Sequence, residues 1–337
     1  MTLSPQLRER LVRYAELRPC TNAFIDARSP GSDKKENFTI IGPGVAENPH
    51  QHVHIREPHG FNIGGARQPP HCTNSLHSHL TEEVFIIHTG RWRFFWGEDG
   101  RDGEVFLDEG DTISIPTNMF RGFENVGDKV GFMFAVLGQD DPGRVLWAPH
   151  VIEKARGHGL VLLENGSLVD TTLGETVPAG LAPVAPASRA ELAALHSRDA
   201  DEMARRVAHR AALAPDTASP LAAPGVRESP VLGIKLTSHS ALTPPIAYPH
   251  DFSVSHLAFE AGAATPSYRS DEVEVLLVQD GALEWRANDG NTVTLGAGDT
   301  FTVPRGMVRG LRAVSAAEVF VVRGSDGPDL VRRVEAP

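Results

Sequence analysis

The chain has 337 residues, enough for two domains with separate hydrophobic cores. Acidic residues outnumber lysine and arginine by 43 to 32, and the formal net charge of -11 argues against a nucleic-acid or acidic-membrane surface, because phosphate binding needs clustered positive charge. The two cysteines, Cys20 and Cys72, are too few for a disulfide scaffold or a Cys-based zinc module. Neither a secretory signal nor a membrane span is evident, so we expect a cytoplasmic protein with a small-molecule substrate and no nucleic-acid or membrane partner.

The N-terminal segment predicts a capped helix. Ser4 and Pro5 precede LRERLVRYAEL, in which Leu7, Leu11 and Tyr14 fall on one stripe. We assign residues 1–37 to this helix and an arm that follows it.

Residues 38–170 change to short β-like runs separated by Gly, Pro, Asn and Asp. The clearest runs are FNIGGA, EVFIIHTG, RWRFFWG, GEVFLDEG, DTISIP and VGFMFAVLG. Many short strands at this spacing are typical of a barrel or sandwich.

Residues 171–230 predict a Pro/Ala-rich and helical linker, with SRAELAALHSRDADEMARRVAHRAAL as its helical part. Strand-like runs resume over 231–337. The segment from Glu83 to Asn125 parallels the segment from Glu274 to Ala313: glutamate, six residues, glycine, a hairpin, GDTxxxP, then MxRG. This duplication predicts an all-β protein of two related barrels.

The first copy contains His77, His79 and Glu83, followed after six residues by Gly90. Two histidines two apart on a strand point to the same face, and a short turn brings the next strand's carboxylate over that face. Two imidazoles and one carboxylate suit a divalent first-row metal and leave coordination positions open. Glu82 competes with Glu83, but the spacing to Gly90 favours Glu83.

These motifs resemble those of the cupin superfamily. Its first motif matches at His77, His79, Glu83 and Gly90, and its second at Gly110, Pro116 and Asn125. The resemblance implies two cupin (double-stranded β-helix, or jelly-roll) barrels, which often assemble as homo-oligomers. Where the family usually has its last metal histidine, this chain has Arg121.

In the second copy, the positions of the metal ligands hold Tyr268, Ser270, Glu274 and Arg309. Only one plausible ligand remains, so we predict a degenerate, metal-free barrel over residues 231–337. The first barrel is predicted to bind one divalent metal: Fe(II) first, with Mn, Ni or Zn as alternatives.

Two hypotheses apply to Arg121. It faces the cavity and captures an anionic group of the substrate, or it forms an ion pair that holds a loop. The recurrence of arginine at Arg309 supports the second hypothesis.

Other side chains are candidates for the site. His52, His54 or His71 could replace the missing third histidine, although each is more commonly a packed or surface residue. Trp92, Phe94 and Trp96 share one face of a strand and indicate either core packing or an aromatic wall, and Phe123 is a similar candidate.

The leading functional hypothesis is a non-haem Fe(II) dioxygenase acting on a small anionic, aromatic substrate, with Arg121 and Phe123 contacting it. The chain resembles bicupin ring-cleaving dioxygenases of the gentisate type, which keep metal in one barrel but typically use three histidines. The alternatives are an oxygen-independent isomerase, lyase or hydrolase of sugar acids or hydroxy acids, and a non-catalytic ligand-binding bicupin.

Overall fold

The structure is a computed structural model that describes residues 2–233 and 235–334. Strands dominate, and the described part contains four short α-helices. The chain divides into two compact units, residues 18–207 and residues 1–17 together with 208–337. Each unit contains one barrel, which confirms the predicted all-β, two-barrel fold class.

The N-terminal helix is present but shorter than predicted. Helix α1 covers Pro5–Arg8, with the Ser4 hydroxyl accepting a backbone N–H, and a 3₁₀ turn follows at Tyr14–Glu16. Between them, strand β1 (Leu11–Val12) pairs with Phe301 and Thr300. Of the predicted stripe, Leu11 therefore lies in a short edge strand of the second barrel, because pairing there outweighs the modest helical propensity of the residues after Arg8.

The unit of residues 18–207 is built from fourteen strands, with a helix α2 (Pro149–Gly157) and 3₁₀ turns at Ile25–Arg28 and Thr171–Leu173. Its strands are β2 (Glu36–Ile41), β3 (Val53–Ile55), β4 (Phe61–Gln68), β5 (Thr73–Ser78), β6 (Glu83–Thr89), β7 (Trp92–Trp96), β8 (Gly103–Leu107), β9 (Thr112–Ile115), β10 (Arg121–Asn125), β11 (Gly131–Gly138), β12 (Leu146–Trp147), β13 (Leu160–Leu162), β14 (Leu168–Asp170) and β15 (Val207–Ala208). One sheet has the order β12-β5-β10-β7-β8 and the other β15-β9-β6-β11-β4-β2-β3.

The helical linker is present as two short helices, α3 (Arg189–Ala193) and α4 (Ala200–Ala204), with a 3₁₀ turn at Arg210–Ala212. Each α-helix has its own N-cap, because the side chains of Ser188 and Asp199 each accept a backbone N–H. Between them the chain passes over the first barrel, where the Arg198 carbonyl accepts the indole N–H of Trp96 at 2.8 Å. Packing on the barrel therefore divides the helix that propensity alone favours.

The described part of the second barrel contains ten strands that follow β15 in the chain. They are β16 (Val226–Leu232), β17 (Ser253–Phe259), β18 (Tyr268–Ser270), β19 (Glu274–Asp280), β20 (Ala282–Ala287), β21 (Thr292–Gly296), β22 (Thr300–Val303), β23 (Arg309–Ala313), β24 (Ala317–Arg323) and β25 (Val331–Arg333). The sheet orders are β1-β22-β19-β24-β17-β16 and β21-β20-β23-β18-β25. Alternate residues of these strands fill one apolar core around Trp285, Phe301 and Leu276.

The boundaries between the two compact units fall after residues 17 and 207. The segment boundaries predicted from the sequence are residues 38, 171 and 231. Residues 18–37 lie in the unit of the first barrel, where Lys35 and Asp26 form a fully buried ion pair. Strand β16 begins at Val226, before the predicted start of the second barrel. None of the helices in the described ranges has the length and apolar character needed to cross a membrane.

Candidate metal centre

The first barrel brings together the three predicted metal ligands. His77 lies on β5, His79 follows the end of that strand, and Glu83 begins β6. Their potential ligand atoms all lie within 4.8 Å of one another, and His79 Nε2 is 3.6 Å from Glu83 Oε2. The period of two along the strand and the tight turn after it account for this convergence.

Both histidines are prepared to act as neutral ligands. Burial, followed by the positive charge of Arg121, lowers the pKa of His77 and of His79 well below its usual range. His77 Nδ1 donates to the Ser75 carbonyl at 2.7 Å, which leaves its Nε2 as the free lone pair. His79 Nδ1 is buried and has no hydrogen-bond partner among the described residues. This donor set fits a divalent first-row metal.

Arg121 forms an ion pair with Glu83, one of the three candidate metal-ligating residues, and does not line the cavity. Its guanidinium forms an ion pair with Glu83 and donates to the His77 carbonyl at 2.8 Å, and only 1% of the side chain is exposed. Arg121 therefore forms an ion pair, as the second hypothesis expects. Its partner is Glu83, and the pair does not hold a loop. Burial raises the pKa of Glu83, and the ion pair with Arg121 opposes that rise.

The position of His77 is supported from behind by residues that the sequence did not single out. Lys35 pairs with Asp26 and donates to Asn74 Oδ1 at 2.6 Å, and Asp26 accepts the backbone N–H of Ser75 at 3.0 Å. The ring of Trp147 lies 5.2 Å from that of His77. These residues come from separate segments, so no local spacing could have indicated them.

The other histidines do not join the cluster. His54 Nδ1 donates to the Thr39 carbonyl at 2.8 Å and Nε2 accepts the Arg18 backbone N–H at 3.2 Å, so both ring nitrogens are engaged. His52 is exposed and packs edge-on against His54, and His71 is exposed near Glu124. In the described part of the chain, the metal-type cluster of this barrel is formed by His77, His79 and Glu83.

The three ligands line a cavity of about 70 Å³ inside the barrel. Phe123 lies on its wall and Arg121 does not. Contact between Phe123 and a substrate stays a prediction. Trp92, Phe94 and Trp96 are buried in the core below it and take the core-packing role. Most of the wall is apolar, and it includes Phe85, Ala135 and Leu137.

The second barrel repeats the frame with different chemistry. Arg309 pairs with Tyr268 across β23 and β18, as Arg121 pairs with His77 across β10 and β5. Glu274 accepts a hydrogen bond from the Tyr268 hydroxyl at 2.8 Å and forms ion pairs with Arg309 and with Arg323. The glutamate is thus surrounded by donors of the chain itself.

Cupin domain sequences match residues 66–137 and 255–323, one match in each barrel. Both barrels have the cupin fold. The chain shares this fold with oxalate decarboxylase from Lactobacillus farciminis in complex with formate, at 12% identity and a TM-score of 0.58, over 99% of this chain and 90% of that chain.

Two further structures show the same bicupin fold. Oxalate decarboxylase from Bacillus subtilis at pH 4.6 has 12% identity and a TM-score of 0.56, over 96% of this chain and 78% of that chain. Vicilin from hazelnut, Corylus avellana, has 14% identity and a TM-score of 0.53, over 96% and 87%. No curated protein sequence matches this chain significantly. At such identities the likeness concerns the fold, which hosts different functions.

Proposed function

We propose that the first barrel is a metal-dependent catalytic domain, and that it acts as a non-haem Fe(II) dioxygenase on a small organic anion. The observation that carries this proposal is the convergence of His77, His79 and Glu83 on the wall of one buried cavity. Two imidazoles and one carboxylate with open positions form the donor set used by non-haem Fe(II) oxygenases. Bound Fe(II) would supply activation of dioxygen and of a coordinated substrate oxygen.

The cavity wall suits a compact substrate with an apolar body. Phe85, Phe123 and Leu137 exclude water from the space beside the ligands. Asn37 also lines the cavity, and its amide nitrogen is buried without a hydrogen-bond partner among the described residues. It is therefore available to donate to a substrate oxygen, because an unsatisfied buried donor is costly. An aromatic acid is the substrate class that combines these features.

Arg121 has a different role in this proposal from direct substrate binding. It holds the Glu83 carboxylate in place through an ion pair within the barrel wall. Burial and, after it, the positive charge of Arg121 lower the pKa of the two histidines, which favours the neutral form in which imidazole binds a metal. The gentisate-type enzymes, typically with three histidines, remain an analogy for the ring-cleaving reaction, from which this site departs at Arg121.

The second candidate is an oxygen-independent metal enzyme acting on a small carboxylate. The observation that favours it is the fold shared with two oxalate decarboxylases over almost the whole chain. Manganese, nickel or zinc would then polarise a carboxylate or carbonyl at the same ligands. A ligand-binding bicupin without catalysis is the third candidate.

Metal content and oxygen uptake separate these functions. The protein is purified anaerobically without chelator, reconstituted separately with Fe(II), Mn(II), Ni(II) and Zn(II), and assayed with hydroxylated aromatic acids and with oxalate. We expect about one Fe(II) per chain and substrate-dependent oxygen consumption. Turnover without oxygen would favour the second candidate. Failure to bind any of the four metals would overturn both enzyme proposals.

A further inference from the structure

An outer cleft of about 510 Å³ lies next to the metal cavity in the first barrel's unit. Gly44, Val45 and Ala46 line both spaces, so a single stretch of backbone separates them. Leu80, the residue immediately after His79, lines the cleft as well. The cleft is therefore continuous with the wall of the candidate metal centre.

The size and lining of the cleft are those of a ligand site. Its volume falls within the roughly 300–1,000 Å³ typical of small-molecule pockets, whose walls are mainly apolar. Leu80 is 70% exposed there, and Leu146 is also exposed. Val145, Leu162 and Val184 complete an apolar surface drawn from separate segments of the unit. Covering this surface would remove apolar area from water.

The charge of the cleft selects the ligand. Arg144 lies on its edge and donates to the Glu164 carbonyl at 2.5 Å, and no ion pair involves it within residues 2–233 and 235–334. Glu47 is the one acidic residue among the described residues of the lining. Both carboxyl oxygens of Glu47 are already engaged within the chain, because Oε2 accepts the Ile25 backbone N–H at 2.8 Å and Oε1 accepts the Trp147 indole N–H at 2.6 Å. The cleft thus combines an apolar wall with an uncompensated cation.

We propose that this outer cleft binds an aromatic organic acid, with the ring against Leu80, Val145 and Leu162 and the carboxylate paired with Arg144. Guanidinium pairs well with carboxylate, and the apolar wall supplies the remaining affinity. That this acid is also the substrate rests on the proposed function of the metal centre. Binding in the cleft does not depend on that function.

The test is direct binding of 2-naphthoate by isothermal titration calorimetry, with the metal-free protein and its variants. Leu80→Asp puts a negative charge on an exposed position of the wall, and Arg144→Gln removes the cation. We expect each variant to weaken binding by about tenfold. The controls are Leu173→Asp, at a leucine that is also 70% exposed but lies outside the cleft, and Arg101→Gln, at an exposed arginine elsewhere. Both controls should bind as the wild type does.

A third variant separates this proposal from the proposed function. His77→Ala/His79→Ala removes the metal ligands, and we expect it to bind 2-naphthoate with unchanged affinity. If this double variant loses binding while Leu80→Asp keeps it, the ligand binds at the metal centre and the cleft proposal is wrong. Absence of binding to the wild type, or equal weakening by the control variants, would also overturn it. Retained binding of 2-naphthoate by this double variant leaves the cleft proposal standing even if the protein shows no activity.

Discussion

The two barrels use the same frame to surround a buried glutamate in opposite ways. In the first, Glu83 has one guanidinium partner, Arg121, and burial raises the pKa of the carboxyl. In the second, burial is outweighed by Arg309 and Arg323, which lower the pKa of Glu274 to about 2. One glutamate is incompletely compensated beside two neutral histidines, and the other is satisfied by the chain.

The strand register identifies the substitution behind this difference. Glu83 pairs with Leu137 on β11, and Glu274 pairs with Arg323 on β24. Arg323 also bonds to Glu228, so two carboxylates and a guanidinium fill the space beside the ligand positions. The cavity of about 20 Å³ bordered by Arg323 and Glu228 is not lined by Tyr268, Ser270, Glu274 or Arg309. In the first barrel, the three corresponding residues His77, His79 and Glu83 line a cavity of about 70 Å³. A cation supplied by the chain thus replaces open space at the position where the first barrel could admit a metal.

Metal binding should show the largest difference between the barrels. His79→Ala removes one of three ligands, and we expect metal affinity to fall by about 100-fold or more. Ser270→Ala, at the equivalent position of the second barrel, should leave metal content unchanged. Elemental analysis and competition with a chromophoric chelator measure both. Equal loss in the two variants would contradict a site confined to the first barrel.

Removal of an arginine should destabilise either barrel, but metal should rescue only one. Arg121→Met leaves Glu83 without its guanidinium partner, and Arg323→Met leaves Glu228 without its own, each at a cost of about 3–5 kcal/mol in the free energy of unfolding. Urea unfolding with and without added metal measures the change. We expect metal to restore stability in Arg121→Met, because the cation replaces the lost charge beside Glu83. If added metal restored the stability of Arg323→Met to a similar extent, the proposed difference between the two barrels would be wrong.

Acid should act on the second barrel through Glu274. Its pKa is lowered from 4.5 to about 2, so the stability it contributes is present above pH 4.5 and is lost as the pH falls towards 2. At about 1.4 kcal/mol per pH unit, the loss is about 3 kcal/mol. Glu274→Gln should flatten the dependence of unfolding free energy on pH in this range. An unchanged slope would show that other carboxyl groups govern it.

The smallest expected effect is at Ser255, which stands where the first barrel has Gly64 according to the pairing with β24 and β11. Its hydroxyl accepts from Arg323 at 2.9 Å and donates to Glu228 at 2.6 Å. Ser255→Ala should cost about 2 kcal/mol, because these hydrogen bonds involve charged groups. Ser253→Ala, which removes no side-chain hydrogen bond in the described part of the chain, is the control for thermal unfolding. Equal effects of the two changes would argue against the network.

Sequence periodicity was sufficient for the strands but not for the helices. Alternation in Trp92–Trp96 predicts a strand with one buried face. The structure has a strand there, and Trp92, Phe94 and Trp96 are its buried side chains. The helical pattern after Ser188 fails as a continuous element, because the segment between α3 and α4 packs on the first barrel, where the Arg198 carbonyl accepts the indole N–H of Trp96. Propensity describes each segment in isolation, whereas tertiary packing decides where a short helix ends.

The sequence by itself determined the duplicated β-frame and the meeting of His77, His79 and Glu83, because a period of two and one short turn act over neighbouring residues. Only the tertiary structure decided the partner of Arg121 and the filling of the second barrel by Arg323. Those contacts join strands far apart along the chain, and no local pattern specifies which side chains meet across a barrel. The charge around each buried glutamate is therefore a property of the folded barrel and not of its motif.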